Sequence, residues 1–214
     1  KATDTNAAIQ AIIKKSYGAH RRVVFNGNGY SGEWVKEAER RGLANVKSTV
    51  DALPVLTEKD TLDLFERHNV LSHEESESRL HIYLEKYSKQ INIEAGVMVD
   101  MARRQVFPAV GAFAASLARD ASALAAIGAA SASMEKRAAC LAGFTGDIFE
   151  ETEKLDKALA EAQEVDDALA QATAYRDKVV PQMAALRARV DAAEKLVEKK
   201  AWPIPTYEDL LFRL

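Results

Sequence analysis

From Ser72 onward, apolar residues return at three- and four-residue spacing, at Leu80, Leu84, Tyr87, Ile91, Met98 and Met101, which predicts a long amphipathic helix. Ser72-His73-Glu74-Glu75 has the form of a capping box and marks its start. The helix is expected to run past Phe107, to be kinked where Pro108 lacks an amide hydrogen, and to end near Gly128 after an Ala-rich stretch. A second run carries Leu141, Ile148, Leu155 and Leu159, and a third has a seam at Leu169, Ala172, Val179, Met183, Leu186, Val190, Ala193 and Val197. Both read as coiled-coil faces. Residues 161–167 are polar but hold no Gly or Pro, so the two runs are either joined there or continuous, and Pro181 either bends the third run or marks an early turn of a separate helix.

Before Ser72 the pattern is shorter. Asp4 or Thr5 caps a helix through Ile9, Ile12 and Ile13 to about Tyr17, with Gly18 as its stop. Arg22-Val23-Val24-Phe25 leads into Asn26-Gly27-Asn28-Gly29, residues that tolerate positive φ and favour a tight loop. Ser31 is expected to cap a helix over 32–41, closed by Gly42. Ser48 or Thr49 caps a turn stopped by Pro54, and Thr57 caps a helix through Leu62, Leu64 and Phe65. Narrow apolar seams bury little alone, so the predicted fold is all-α: an antiparallel bundle of about three long helices, preceded by several short helices and turns. Three segments follow: 1–71 with the Asn-Gly loop, 72–200 as the bundle, and 201–214 as a docking tail, in which two prolines stop the helix and Trp202, Tyr207 and Phe212 offer anchors.

Composition narrows the function classes. Of the 214 residues 48% are hydrophobic, enough for a sizeable core. The net charge of −3 comes from interleaved acids and bases, which gives no electrostatic footprint for nucleic acid. The apolar stretch 109–130 is interrupted by Arg119 and Asp120 and is no membrane span. A single cysteine, Cys140, fits a reducing cytoplasm. The chain opens on Lys1 without a signal-like region and reads as a piece of a longer protein.

Candidate chemistry is sparse. Asn26, Gly27, Asn28 and Gly29, ahead of a helix, present backbone N–H groups that suit an anion. They lack the Lys-Ser/Thr of a P-loop and the dinucleotide spacing, so a structural turn is the simpler reading. His20, Arg21 and Arg22 suit a phosphate or the negative end of a helix dipole. Glu85 and Glu94 fall beside the apolar stripe, where burial would demand a cation such as Arg79, Arg103 or Arg104, and structural ion pairing fits them better than acid–base catalysis. Glu77 and His81 stand four apart with no second pair, so no di-iron site is assigned and no metal ligand named. Cys140 lies in an Ala-rich helix without an activating pattern and reads as packed. No catalytic residue is assigned.

Three segments carry a resemblance. The first is 25–31 with Trp34, Glu37-Ala38 and Arg41-Gly42-Leu43; the second is Leu71-Ser72, Glu75, Ser78-Arg79, Leu84-Glu85, Tyr87 and Ile93-Glu94-Ala95. The third is Trp202-Pro203, Pro205-Thr206-Tyr207 and Leu210-Leu211-Phe212, linked to the others by Asp177, Val179, Pro181, Met183, Leu186-Arg187 and Asp191. In this order they resemble the C-terminal region of type III glutamine synthetases. The resemblance implies a parent enzyme that condenses glutamate with ammonia using ATP and Mg2+ or Mn2+, in a cytoplasmic, ring-forming homo-oligomer. It also implies that the catalytic core lies upstream, so this chain alone should hold no cofactor and be inactive. Its partners would be the catalytic region of the same polypeptide and neighbouring subunits. Trp34, Arg79, Glu85, Glu94, Trp202, Tyr207 and Phe212 would then be structural or docking residues. An autonomous helical interaction module is the rival reading.

Overall fold

The computed structural model describes residues 4–212, and among them there are helices and turns and no strand. The chain forms two compact units, Lys1–Lys47 and Ser48–Leu214. The division therefore falls inside the expected 1–71 segment. Val50 accounts for this: it is buried with Leu84 and Ala172, with Leu53 and Leu80 packed alongside, which ties 48–71 to the long helices.

In the first unit, α1 (Thr5–Ala19) is capped by the Asp4 carboxylate, which accepts from the N–H groups of Asn6 and Ala7 at 2.9 and 3.2 Å. Gly18 does not stop it; the helix runs on to Ala19 and then tightens into a 3-10 turn over Arg21–Val23. The stripe Ile9, Ile12, Ile13 and Tyr17 is 49%, 65%, 61% and 46% exposed, and α1 buries no residue. α2 (Gly32–Arg40) ends on Gly42 at φ 69°, with the Leu43 N–H reaching the Ala38 carbonyl at 2.9 Å, the bonding of a Schellman cap. Ser31 stands at its N-cap, but its hydroxyl donates to the Asn28 carbonyl instead of capping the helix.

The second unit starts with α3 (Thr49–Ala52), capped by Ser48, and a 3-10 turn over Leu53–Thr57 that Pro54 opens rather than stops. α4 (Lys59–Arg67) follows with Glu58 at its N-cap, because the Thr57 hydroxyl is engaged with the Pro54 carbonyl. It closes on Asn69, at φ 51°, a conformation Asn tolerates better than most side chains. α5 (His73–Met101) begins with the full Ser72–Glu75 capping box.

No break follows at Pro108. A π turn over Ala102–Val106 joins α5 to α6 (Phe107–Ala126), and the Phe107 N–H bonds the Ala102 carbonyl five residues back. The wider turn absorbs the clash that proline makes with the carbonyl four residues before it. The same device recurs where α8 (Ala168–Ala174) passes through a π turn over Tyr175–Val179 into α9 (Val180–Glu194), with Pro181 just beyond. Both prolines thus widen a helix without ending it. α7 (Ala132–Gln163) is separated from α8 at Glu164, where Asp167 caps the new helix, so the second and third runs are distinct. Gly128, at φ 76°, ends α6 as expected.

Cross-helix pairs fix the topology. Gly111 faces Thr145, Arg103 pairs with Glu153, and Asn92 with Gln163, so α7 ascends as α5 and α6 descend. Arg137 with Leu196, Asp147 with Arg189 and Glu161 with Lys178 set α9 antiparallel to α7 in turn. This is the expected three-member bundle. Its centre is α7, whose buried residues Ala138, Leu141, Ile148, Thr152, Leu155, Leu159 and Ala162 alternate threes and fours once Thr145 is counted. The two threonines suit an apolar seam because each hydroxyl donates to the carbonyl four residues back, Thr145 to Leu141 at 2.8 Å and Thr152 to Ile148 at 2.6 Å.

Candidate functional site

In the first unit, the loop is organised by its neighbours. Arg41 lies along α2, and its guanidinium donates to the carbonyls of Arg22 and Val24 at 2.6 and 2.7 Å and to Glu37 at 2.6 Å. Glu37 also accepts from Arg40 at 2.7 Å, and the two guanidiniums hold its carboxyl down at about 2. Phe25 packs on Trp34, ring centroids 4.7 Å apart. A side chain at Gly27 would meet the Phe25 ring at 2.5 Å, so this position needs glycine for space. None of residues 26–29 lies at positive φ.

Asn28 closes the turn. Its side-chain oxygen accepts from the Tyr30 N–H at 3.0 Å, and its carbonyl accepts from both the N–H and the hydroxyl of Ser31. The N–H groups ahead of α2 that would meet an anion are therefore already bonded at Tyr30 and Ser31. Trp34 anchors the loop, while Tyr30 is fully exposed. His20, Arg21 and Arg22 are exposed beside it.

In the second unit the named acids are surface groups. Glu85 pairs with Lys89 at 2.9 Å, and Glu94 accepts from Gln90 at 2.6 Å. Arg79 is exposed and shares a shallow hollow with Glu75. Arg103 instead ties the first π turn to α7, donating to Glu153 at 2.6 Å and Asp156 at 2.7 Å, and Arg104 pairs with Asp100 one turn back. Cys140 is exposed, since Ala138 and Leu141 on either side take the inward positions of α7. Among the described residues no three His, Cys, Asp or Glu side chains converge as metal ligands. No described helix is long and apolar enough to cross a membrane.

The tail is half docked. Trp202 and Ile204 pack against the bundle core, and Thr206 and Asp209 form a capping box on the five-residue helix α10 (Tyr207–Leu211). The Thr206 N–H and hydroxyl donate to the Asp209 carboxylate, and with Lys199 at 3.1 Å they keep that carboxyl at about 2. Leu210, Leu211 and Phe212 are 66%, 72% and 76% exposed, so Phe212 does not anchor the tail within this chain. The Tyr207 side chain lies outside the described residues. Next to Ile204, an apolar groove of about 630 Å3 runs between α5 and α9, lined by Ile93, Val97, Met98, Met101, Met183 and Val190.

Several positioning contacts carry no local sequence signal. Tyr175, buried in the second π turn, donates its hydroxyl to Asn92, which also accepts from Gln163 at 2.6 Å. Arg137 donates to the Leu196 carbonyl at 3.0 Å and lies over the Phe113 ring. Arg176 bonds Asp177 and also Asp51, which raises its pKa further. These contacts stiffen a scaffold. They bring no nucleophile, base and anion cradle together among the described residues.

Comparison with known proteins places the chain in a family. The model of the family described as the glutamine synthetase C-terminal domain matches residues 8–125, more than half of the chain. The glutamine synthetase of Butyrivibrio fibrisolvens is 35% identical over 96% of this chain and 30% of its own length. The type-3 glutamine synthetase of Dictyostelium discoideum is 33% identical over 99% of this chain and 30% of its own. The glutamine synthetase of Bacteroides fragilis (strain YCH46) is 27% identical over 96% and 29%. The chain thus spans about 30% of the length of these relatives.

Proposed function

Because this chain belongs to the glutamine synthetase C-terminal domain family, we propose that it braces and helps assemble a type III glutamine synthetase whose upstream part performs the chemistry. That chemistry is the ATP-dependent condensation of glutamate and ammonia in the presence of Mg2+ or Mn2+. The observation that carries the reading is the contrast between a bundle seam buried from Leu84 to Val197 and the apolar surface left over at α1, the α5–α9 groove and the tail. A scaffold with uncovered apolar faces is a component of something larger.

Among the described residues no three acidic, imidazole or thiol groups converge, and the Tyr30 and Ser31 N–H groups that follow the Asn-Gly loop are already bonded to Asn28, which supports placing ATP and the divalent ion upstream. Phosphoryl transfer needs positioned charge, which this chain would draw from upstream residues. The remaining parts of the reading are a cytoplasmic location, contact with the catalytic region of the same polypeptide, and contact with neighbouring subunits in a ring. Trp34, Trp202 and the exposed Phe212 are its candidate anchors.

The test is an assay of γ-glutamyl transfer and glutamine formation on this chain and on the full-length polypeptide, with particle mass measured in parallel. The reading expects activity and a large particle from the full-length protein, and neither activity from the chain alone. A folded, metal-loaded full-length protein without activity would overturn it in favour of an autonomous interaction module.

A further inference from the structure

We propose that the face of α1 formed by Ile9, Ile12, Ile13 and Tyr17 is covered by the upstream part of the same polypeptide, making α1 the clasp that joins this region to the rest of its subunit. The inference rests on the reading above, because it needs an upstream part.

The stripe is regular. Residues 9, 12, 13 and 17 fall on one side of a helix, and Lys14 and Lys15 fall on the other. Yet Ile12 and Ile13 are 65% and 61% exposed, and no residue of α1 is buried. A 15-residue helix is marginal in water without a surface to pack on, even with its Asp4 cap. The pattern and the cap specify a helix whose packing partner is missing from the described contacts.

The occupant follows from area and tether. Two copies held together by this face alone would each need to bury roughly 800 Å2, more than four side chains supply. A surface on the same polypeptide needs no such area, since a short tether raises its effective concentration to the millimolar range. The relatives place about 70% of their length outside the part this chain matches, and the matching family is a C-terminal domain, so the tethered surface lies upstream.

The experiment places a photo-reactive amino acid at position 12 of the full-length polypeptide, prepared as a mixture of light- and heavy-isotope subunits. Expected are adducts from position 12 onto upstream peptides, in light–light and heavy–heavy pairs only. Adducts onto residues 48–212, mixed-isotope adducts, or no adduct would each overturn the proposal. Ile12→Lys with Ile13→Lys should make 5–19 the first site of protease cleavage in the full-length protein, and undiminished resistance would likewise overturn it. The failure is separable from that of the parent reading: an active full-length enzyme lacking these adducts sinks the clasp alone, whereas an inactive one sinks the glutamine synthetase assignment.

Discussion

α1 and α7 carry the same kind of apolar periodicity and meet different fates. In α7 the residues at alternating threes and fours are almost all buried, with Leu141, Ile148 and Leu155 fully out of solvent between α6 and α9. In α1 the stripe at 9, 12, 13 and 17 is about half exposed or more throughout. Periodicity reports that a helix is built to pack on something, and burial reports whether its own unit supplies that surface. The bundle buries its own seam, while α1 leaves its stripe exposed.

The sharpest way to break the contrast is truncation at matched positions. Ile148→Ala in α7 should cost about 3–4 kcal/mol in urea unfolding, the transfer loss plus a cavity that close-packed neighbours cannot fill. Ile12→Ala in α1 should change the stability of this chain by no more than about 0.5 kcal/mol, as exposed substitutions usually do. Equal losses at the two sites would remove the distinction.

Within the first unit, Arg41 is the residue on which the loop depends. Arg41→Ala removes the donors to Arg22 and Val24 and should loosen the Phe25–Trp34 contact, at a cost of about 2 kcal/mol read as a shift in Trp34 emission with Trp202 held as Phe. The bundle's unfolding midpoint should stay where it was.

The smallest effect is on pH dependence. The Glu37 carboxyl is lowered from 4.5 to about 2, and that of Asp209 from 3.8 to about 2. The unfolded chain therefore binds more protons than the folded one inside these windows. Both groups add stability that is complete above the ordinary carboxylate range and is lost as pH falls toward 2. Acid titration followed by Trp34 and Trp202 fluorescence should show both ends loosening below about pH 4, with α7 helicity persisting. Glu37→Gln should flatten the Trp34 response.

Much of this was legible in the residues. The Ser72 capping box, the Gly42 and Gly128 stops, the three-member bundle and the seam leucines of α7 follow from local rules. Other features depend on partners far along the chain. Arg103 finds Glu153 and Asp156 rather than Glu85 or Glu94, and Thr145 and Thr152 complete a seam that hydrophobicity alone leaves gapped. The prolines at 108 and 181 announce a disturbance, but the π turns that accommodate them are set by the need to keep both halves of each helix on the core. The Asn-Gly loop pointed to left-handed backbone, whereas the structure uses the glycine at 27 to admit the Phe25 ring. Thr57 and Ser31 lose capping roles because nearby carbonyls take their hydroxyls.

Amide hydrogen exchange on the isolated chain, at a concentration where it is monomeric, tests the central claim most directly. The account predicts that the inward-facing amides of α7 exchange only through global unfolding, while those of α1 exchange within a small factor of the unfolded rate. Protection of α1 equal to that of α7 in the isolated chain would contradict it, for the chain would then already contain the surface that α1 needs.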